Sequence, residues 1–475
     1  MGETKNHTGN GNITLKAGLW YTLCNVLVRG INFLTTPLFT RIMSKGDYGS
    51  FSNYASWLSL LMILTTMDLS SSIARAKLDY KDDLDGYISS IQILGTITTA
   101  ICYLIVCTFS QFFVNLFKMD MLYIHIMFMY LLVSPAFNIL QEKHRQMLKY
   151  KMVTVLTIVS TFTSMVVSIL LVLSMNNKFL GRVIGNTIVL MCLCVVIYIY
   201  NIIKGKKIRF LDWKYALAFS VPLIAHSLAG NVLATSDRII ITNICGTEDT
   251  ALYSVVYSCA SIIFLLGSSV NQAWVPWFYS SLENRKYKEI KSATKKYLVI
   301  SFLITILIIL FGPDIVLIFG GKGYVDSIYI VPCIMIGCYY WIMYTFFINI
   351  QLYHKKTIGI TIKTIVAALF NVVTNIVFVN KYGYEAAAYT TLASYVLLFI
   401  LHYYSGIKLG AKEYYDLKCF IKLLVISFAV LVIVLITYHY NVIRYSVIGA
   451  MLVCMIITSI IYKDKIIGLL KSLVK

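Results

Sequence analysis

Polar chain is what this sequence has least of. Only 13% of its 475 residues are charged, 21 acidic against 41 Lys and Arg, and no polar stretch is long enough to fold as an aqueous domain. A soluble globular protein is therefore excluded. Metal-ligand spacing is missing too: the seven His are isolated, and the eleven Cys lie singly in apolar segments, with no His at zinc-site spacing. The cysteines read as small apolar packers. No glycine-rich phosphate loop occurs, and the first apolar run follows about eighteen mostly polar residues without a cleavage site, so no signal peptide is expected. The carboxylate cluster Asp82-Asp83-Leu84-Asp85 has the residues for a divalent metal and a sugar nucleotide, but its loop is too short to support such a site and reads as solvated. Nothing in the sequence assembles an active site or a cofactor site, so no enzyme is expected.

What is present is apolar length. Fourteen segments of roughly twenty apolar residues fill the chain, at about 19–38, 50–68, 87–111, 121–140, 153–174, 180–203, 215–244, 250–275, 297–319, 327–351, 358–379, 386–407, 419–438 and 443–462. A helix needs about 20 residues to cross a hydrocarbon core, and it satisfies every backbone group there without water. The sequence predicts an all-α polytopic membrane protein with about fourteen spans.

The net charge of +20 would ordinarily suggest a nucleic-acid partner, but the basic residues sort by loop. With a cytoplasmic N-terminus, 30 Lys and Arg fall on inside segments, chiefly the Lys143–Lys151, Lys204–Lys214, Arg285–Lys296 and Lys408–Lys422 loops and the tail from Lys463. Eight fall outside: Arg41, Lys45, Lys118, Lys178, Arg182, Lys322, Lys381 and Arg444. The positive-inside rule then places both termini in the cytoplasm, and no nucleic acid is needed to explain the charge.

Six spans followed by six more enter the membrane in the same orientation, and traces of such a repeat are legible. Gly49-Ser-Phe-Ser-Asn-Tyr-Ala-Ser56 aligns with Ala251-Leu-Tyr-Ser-Val-Val-Tyr-Ser258 at an offset of 202. Pro135 answers Pro332 at 197, and Gln146 to Lys151 answers Gln351 to Lys356 at 205. The expected architecture is two six-helix lobes in parallel pseudo-repeat, residues 1–210 and 211–408, with two further helices and a tail at 409–475. A pathway would run between the lobes near the bilayer midplane.

An ionisable side chain at mid-span costs roughly 2.5 to 3.5 kcal/mol on insertion scales, so each one asks for a partner, a watery cavity or a function. Asn25, Arg29, Asn32 and Thr36 share one face of the first span, a face that cannot look at lipid. It lines either a packed polar seam or a cationic cavity, and the guanidinium favours the cavity. His226, Gly230 and Asp237 share a face of the seventh span with Arg238 beside them; Asp237 and Arg238 either neutralise one another or serve transport. Tyr257, Ser261, Ser268 and Gln272, with Asn271 adjoining, form a polar line suited to hydroxyl-rich ligands. Lys363 lies close enough to the inner end of its span to snorkel, and Asp68 sits at the inner end of the second span.

Thr36-Pro-Leu-Phe-Thr-Arg-Ile-Met-Ser-Lys-Gly-Asp-Tyr-Gly-Ser-Phe51 resembles the amino-terminal helix hairpin of bacterial polysaccharide biosynthesis proteins of the Wzx flippase type. These belong to the multidrug, oligosaccharidyl-lipid and polysaccharide exporter (MOP) superfamily. Ser236-Asp-Arg-Ile-Ile-Ile, with Gly246 and Tyr253-Ser254, is similar to that family's seventh-helix signature. The resemblance implies a MATE-like transporter fold in the bacterial inner membrane. It also implies a flippase that moves an undecaprenyl-pyrophosphate-linked repeat unit to the outer leaflet for O-antigen or capsule assembly, beside a polysaccharide polymerase and a chain-length regulator.

On that reading Arg29 and Arg238, with Lys363 as a third, neutralise phosphate, and Arg41 and Arg75 guide the head group at either mouth. Asn25, Asn32, Asn271 and Gln272 would contact the glycan. Asp237 and Asp68 are the candidates for proton or sodium coupling. Three competing readings have discriminators. A multidrug exporter would carry acids in its cavity, a lipid II flippase would lack the hairpin motif, and an O-antigen polymerase would carry a large outside loop that this sequence does not have.

Overall fold

The computed structural model describes residues 33–147 and 149–461, with scattered positions between 20 and 31. The first span ends as α1 (33–42). There follow α2 (Lys45–Thr66), α3 (Ile73–Asp79), α4 (Leu84–Thr108), α5 (Ser110–Phe117), α6 (Met121–Val133), α7 (Pro135–Gln146), α8 (Tyr150–Ser174) and α9 (Lys178–Gly205). The second half holds α10 (Phe210–Ile244), α11 (Thr247–Glu283), α12 (Tyr287–Leu310), α13 (Gly312–Gly320), α14 (Val331–Tyr353), α15 (Thr357–Tyr382) and α16 (Glu385–Lys408). The short α17 (Ala411–Tyr414) then leads to α18 (Leu417–Thr437) and α19 (Asn441–Ile461). Two 3-10 segments, Leu69–Ser72 and Lys322–Ile330, precede α3 and α14, and no strand occurs among the described residues.

Ten of these stretches are long and apolar enough to cross a membrane, and two bent pairs raise the number to twelve among the described residues. The last apolar helix, Asn441–Ile457, is shorter, and most of the expected first span lies outside the described residues. The chain is a multi-pass, all-α membrane protein.

The breaks have local causes. Met67 and Asp68 both take left-handed conformations, with φ of 50° and 46°, and the chain turns by 49° between α2 and the helix that follows. Pro135, which has no N–H to donate, opens α7 in mid-span, and Pro332 opens α14 after a 3-10 segment in the matching place. α10 bends by 47° between Val221 and Leu223, again across a proline.

Helix pairing repeats from one half to the other. α8 packs on α9 as α15 packs on α16, and α6 and α7 pack on α9 as α14 packs on α16. Likewise α2 meets α4 as α11 meets α12, and α4 meets α6 as α12 meets α14. α18 and α19 lie outside this pattern, against α12. The two halves of the chain thus share one helix-packing plan. α10 belongs to both: before its bend Trp213 donates to the Ser90 carbonyl at 2.9 Å, and beyond it the helix packs on α15 and α11.

Close approach of α8 and α9 depends on Gly181 and Gly185, one turn apart. A Cβ on Gly185 would lie 2.3 Å from the Ser168 Cα, and Ser164 donates to the Gly185 carbonyl at 3.2 Å. Small residues let membrane helices meet at backbone distance where apolar burial alone gives no preference over lipid. Gly185→Val is expected to lower stability by about 1–3 kcal/mol, the usual cost of overpacking. A melting scan of the purified protein checks it; an unchanged midpoint would mean the helices can part freely.

The basic loops gather at one end. Lys207 and Arg209 bridge to Asp83 at 2.8 and 2.6 Å, Lys143 and Lys204 bridge to Asp85, and Lys77 bonds the Gln146 carbonyl. Hydrogen bonding from Lys207 holds the Asp83 carboxyl below the usual carboxylate range. The acidic run expected to be a solvated loop is instead an ion-paired clasp: Ser89 and Ser90, one turn into α4, bond the linker backbone at Lys207 and Arg209, which delivers the basic side chains to Asp83 and Asp85.

At the opposite end the two halves touch directly. The Gly49 Cα faces the first turn of α11 so closely that a Cβ would lie 1.7 Å from the Thr247 carbonyl oxygen. Thr40 donates to the Phe319 carbonyl at 2.5 Å and Arg41 to the Ile318 carbonyl at 3.1 Å. This geometry accounts for the 36–51 motif residue by residue. Ser44 caps α2 by accepting from the Asp47 amide at 3.1 Å, Tyr48 is buried, Gly49 gives the close contact, and Phe39 and Phe51 flank the Arg182 guanidinium at 3.1 and 4.7 Å.

Candidate functional site

Asp237 is fully buried where α10 meets α11, α15 and α16. Its carboxylate accepts from Tyr253 Oη at 2.5 Å, Asn375 Nδ2 at 2.6 Å and Thr391 Oγ1 at 2.8 Å. A second ring of contacts fixes these donors. Asn371 Oδ1 accepts from Ser236 and Asn375, both at 3.1 Å, Asn371 Nδ2 donates to Thr391 at 3.1 Å, and Thr390 bonds Asn375 Oδ1. Every donor to Asp237 is neutral. A fully buried carboxylate bonded by neutral donors keeps most of its burial cost, and a proton or a cation bound there would remove it.

Arg238, the next residue, brings a positive charge nearby without bonding to the carboxylate. Among the described residues Asp237 and Arg238 make no ion pair. Instead Arg238 donates to the Ala234 carbonyl at 3.1 Å and places its guanidinium 4.2 Å from the Tyr257 ring centre. Successive residues on a helix point about 100° apart, so Asp237 reaches Tyr253, Asn375 and Thr391 while Arg238 turns to the Tyr257 ring.

Beside this node lies a cavity of about 440 Å³ lined by α10, α11, α14, α15 and α16. Gly230, Tyr257, Ser261, Phe264, Trp341 and Tyr344 are among its walls, and no carboxylate belongs to the lining among the described residues. Gly230 has nothing within 4 Å of where a Cβ would sit. The face shared by His226, Gly230 and Asp237 thus opens on space at Gly230 and closes on packed helices at Asp237.

The remaining sequence candidates disperse. Asn25, Arg29 and Asn32 lie outside the described residues. Asn271 accepts from Asn349 Nδ2 at 2.8 Å, and Gln272, one residue on, is exposed. Lys363 donates to Gln351 Oε1 at 3.1 Å and to the Gly359 carbonyl at 2.8 Å, reaching back toward the basic end of α15 as a snorkelling lysine does. Gln351 in turn pairs with the buried His402 at 2.9 Å. Asp68 accepts from Ser227 at 3.2 Å and, through its carbonyl, from Ser220 at 3.3 Å, joining the break after α2 to both sides of the α10 bend. Arg75 pairs with Asp79 at 3.0 Å on the basic end, and Arg41 sits at the opposite end.

Sequence reasoning missed several residues. Asn375 stood one turn from Asn371 in an apolar helix, a spacing that could have found it. Trp341 and Tyr344 look like any aromatic pair in a membrane helix, and no local signal marks them. Arg182 was assigned to a loop because it follows one so closely, yet it lies against Phe39 and Phe51 in α9.

Comparison with known proteins agrees with this fold. The chain is 22% identical over 373 residues to an uncharacterized membrane protein of Haemophilus influenzae, covering 74% of this chain and 86% of that one. A lipid II flippase, MurJ, in an inward closed conformation superposes with a TM-score of 0.67 at 17% identity, over 94% of this chain and 100% of that chain. A MOP superfamily transporter from Pyrococcus furiosus gives a TM-score of 0.57 at 12% identity, over 84% and 96%. Residues 14–282, more than half of the sequence and inclusive of the hairpin motif, both landmark octapeptides and Asp237, match the polysaccharide biosynthesis protein family, and the chain belongs to that family.

Proposed function

We propose that this protein is a flippase for lipid-linked oligosaccharides, turning over an undecaprenyl-pyrophosphate-linked repeat unit from the cytoplasmic to the outer leaflet for O-antigen or capsule assembly. The observation that carries this reading is a cavity of about 440 Å³ between the helices, with hydroxyl and aromatic walls and no carboxylate among its described lining residues, one of which, Tyr257, packs on the Arg238 guanidinium. Such a site suits an anion joined to a glycan and disfavours the organic cations of a multidrug exporter. Family membership and the MOP-superfamily fold support the same class. A lipid II flippase would handle a similar pyrophosphate, and a substrate assay separates the two.

Transport by alternating access follows from two halves on one packing plan that meet at one end. Asp237 is the coupling group in this proposal. Its carboxylate is met by the Tyr253 and Thr391 hydroxyls and the Asn375 amide, all donors, so a proton, or a sodium ion that displaces the Asn375 amide, would remove its burial cost. Arg29, which lies outside the described residues, is the principal phosphate ligand in this proposal because the sequence sets it in the middle of the first apolar run, at helical spacing from Asn25 and Asn32. Arg29→Ala is expected to abolish surface glycan at normal membrane abundance, Arg29→Lys to restore part of it, and Arg29→Gln to restore none, because the charge matters first and the bidentate fork second. Lectin labelling of intact cells measures it. Parental labelling by the Gln variant would reduce Arg29 to a packing residue.

A further inference from the structure

We infer that the cavity beside Asp237 is a saccharide subsite, which seats a sugar ring of the translocated unit on the corner made by Phe264, Trp341 and Tyr344. The inference rests on the flippase reading and specifies which part of the ligand this cavity holds. Trp341 stands nearly perpendicular to both neighbours, at 73° to Phe264 with ring centres 5.1 Å apart and at 72° to Tyr344 with centres 6.3 Å apart. All three line the cavity and are only half-buried, although Phe264 also packs on Tyr395 and Tyr344 on His402.

A pyranose has two apolar C–H faces and a rim of hydroxyls. Aromatic faces that meet at a right angle can cover a C–H face and an edge together, while hydroxyl groups around them take the rim. Ser261 supplies such a hydroxyl, and its own Oγ donates back to the Ser258 carbonyl at 2.6 Å, leaving its lone pairs for an incoming donor. Charge decides against the other ligand that aromatic corners attract. Arg238 already occupies a face of Tyr257 at 4.2 Å, and no carboxylate is among the described lining residues, so the walls offer a bound organic cation no counter-charge.

The wall is also joined to the candidate coupling node. Tyr253, whose hydroxyl bonds Asp237 at 2.5 Å, stacks on Tyr257 with ring centres 6.2 Å apart, and Tyr257 meets Phe264 at 6.1 Å. A sugar seated on Phe264 would therefore rest on side chains that Asp237 positions.

The test uses the full chain in nanodiscs and two calorimetric probes: a short-chain prenyl pyrophosphate, and the same compound bearing one hexose or N-acetylhexosamine from a small panel. Trp341→Leu and Tyr344→Leu are each expected to weaken the best sugar-bearing probe by about fivefold to tenfold, leave the sugar-free probe unchanged, and recover with Trp341→Phe or Tyr344→Phe. Equal weakening of both probes, or of neither, would overturn the subsite while leaving the flippase reading in place. Displacement of the sugar-bearing probe by tetraphenylphosphonium would also overturn it, by making the corner a cation site. If the parent bound neither probe, the flippase reading itself would fall.

Discussion

Asp237→Asn should keep the protein folded and at normal abundance while reducing gradient-driven translocation by roughly ten- to a hundredfold and making the remainder indifferent to the gradient. The amide is nearly isosteric and removes the one uncompensated charge from a fully buried position, so the melting midpoint is expected to hold or rise. Asp237→Ala should behave differently. It strands the hydroxyls of Tyr253 and Thr391 and the amide of Asn375, and each unpaired buried donor costs about 1–3 kcal/mol. The measurement is uptake of a fluorescent lipid-linked glycan in proteoliposomes under separately imposed sodium and proton gradients, with melting scans in parallel. Asp68→Asn is the control: Asp68 is only half-buried and engages Ser227 at 3.2 Å, so a minor effect on coupling is expected there. Retention of gradient-dependent uptake by Asp237→Asn would move the coupling site elsewhere.

The second large effect is expected at Gly49. Adding a side chain there drives a carbon to 1.7 Å from the Thr247 carbonyl oxygen, and backbone cannot yield as the end of a side chain can. Gly49→Val should therefore hold α2 and α11 apart and depopulate the closed arrangement. Overpacking of about 1–3 kcal/mol corresponds to roughly a 5- to 150-fold shift between states. A disulfide trap reads the shift directly. A Cβ at Gly46 would lie 3.5 Å from the Thr247 hydroxyl, so Gly46→Cys with Thr247→Cys should crosslink readily in the parent and several times less with Gly49→Val added. Surface glycan should fall in step. Undiminished crosslinking would show that the two helices accommodate the extra atoms by tilting, and would remove this contact from the transport cycle.

The contrast between these two sites says where sequence reasoning stops. Gly49 was flagged as part of a landmark aligned with Ala251, and the structure brings those two aligned segments into contact with one another. That contact follows from symmetry: related helices of two parallel lobes meet at the axis between them. Asp237 was flagged because a charge in an apolar helix is conspicuous, but its partners were not legible. Tyr253, Asn375 and Thr391 come from three other helices, as far as 154 residues away in the chain. Helical periodicity tells which residues share a face and is silent on what that face meets.

By itself the sequence determined the class, the secondary structure and the pairing plan. Apolar length forces helices wherever water is absent. Such constraints are local, or add up segment by segment. Only the tertiary structure decided that Arg238 turns to Tyr257 rather than to Asp237, that the Asp83 and Asp85 carboxylates clasp the basic linker, and that Trp341 and Tyr344 face a cavity. Those outcomes depend on the rotation and separation of helices. In a membrane, lipid matches apolar side chains as well as another helix does, so close approach is set by small residues such as Gly185 and by polar groups that find each other across the bundle.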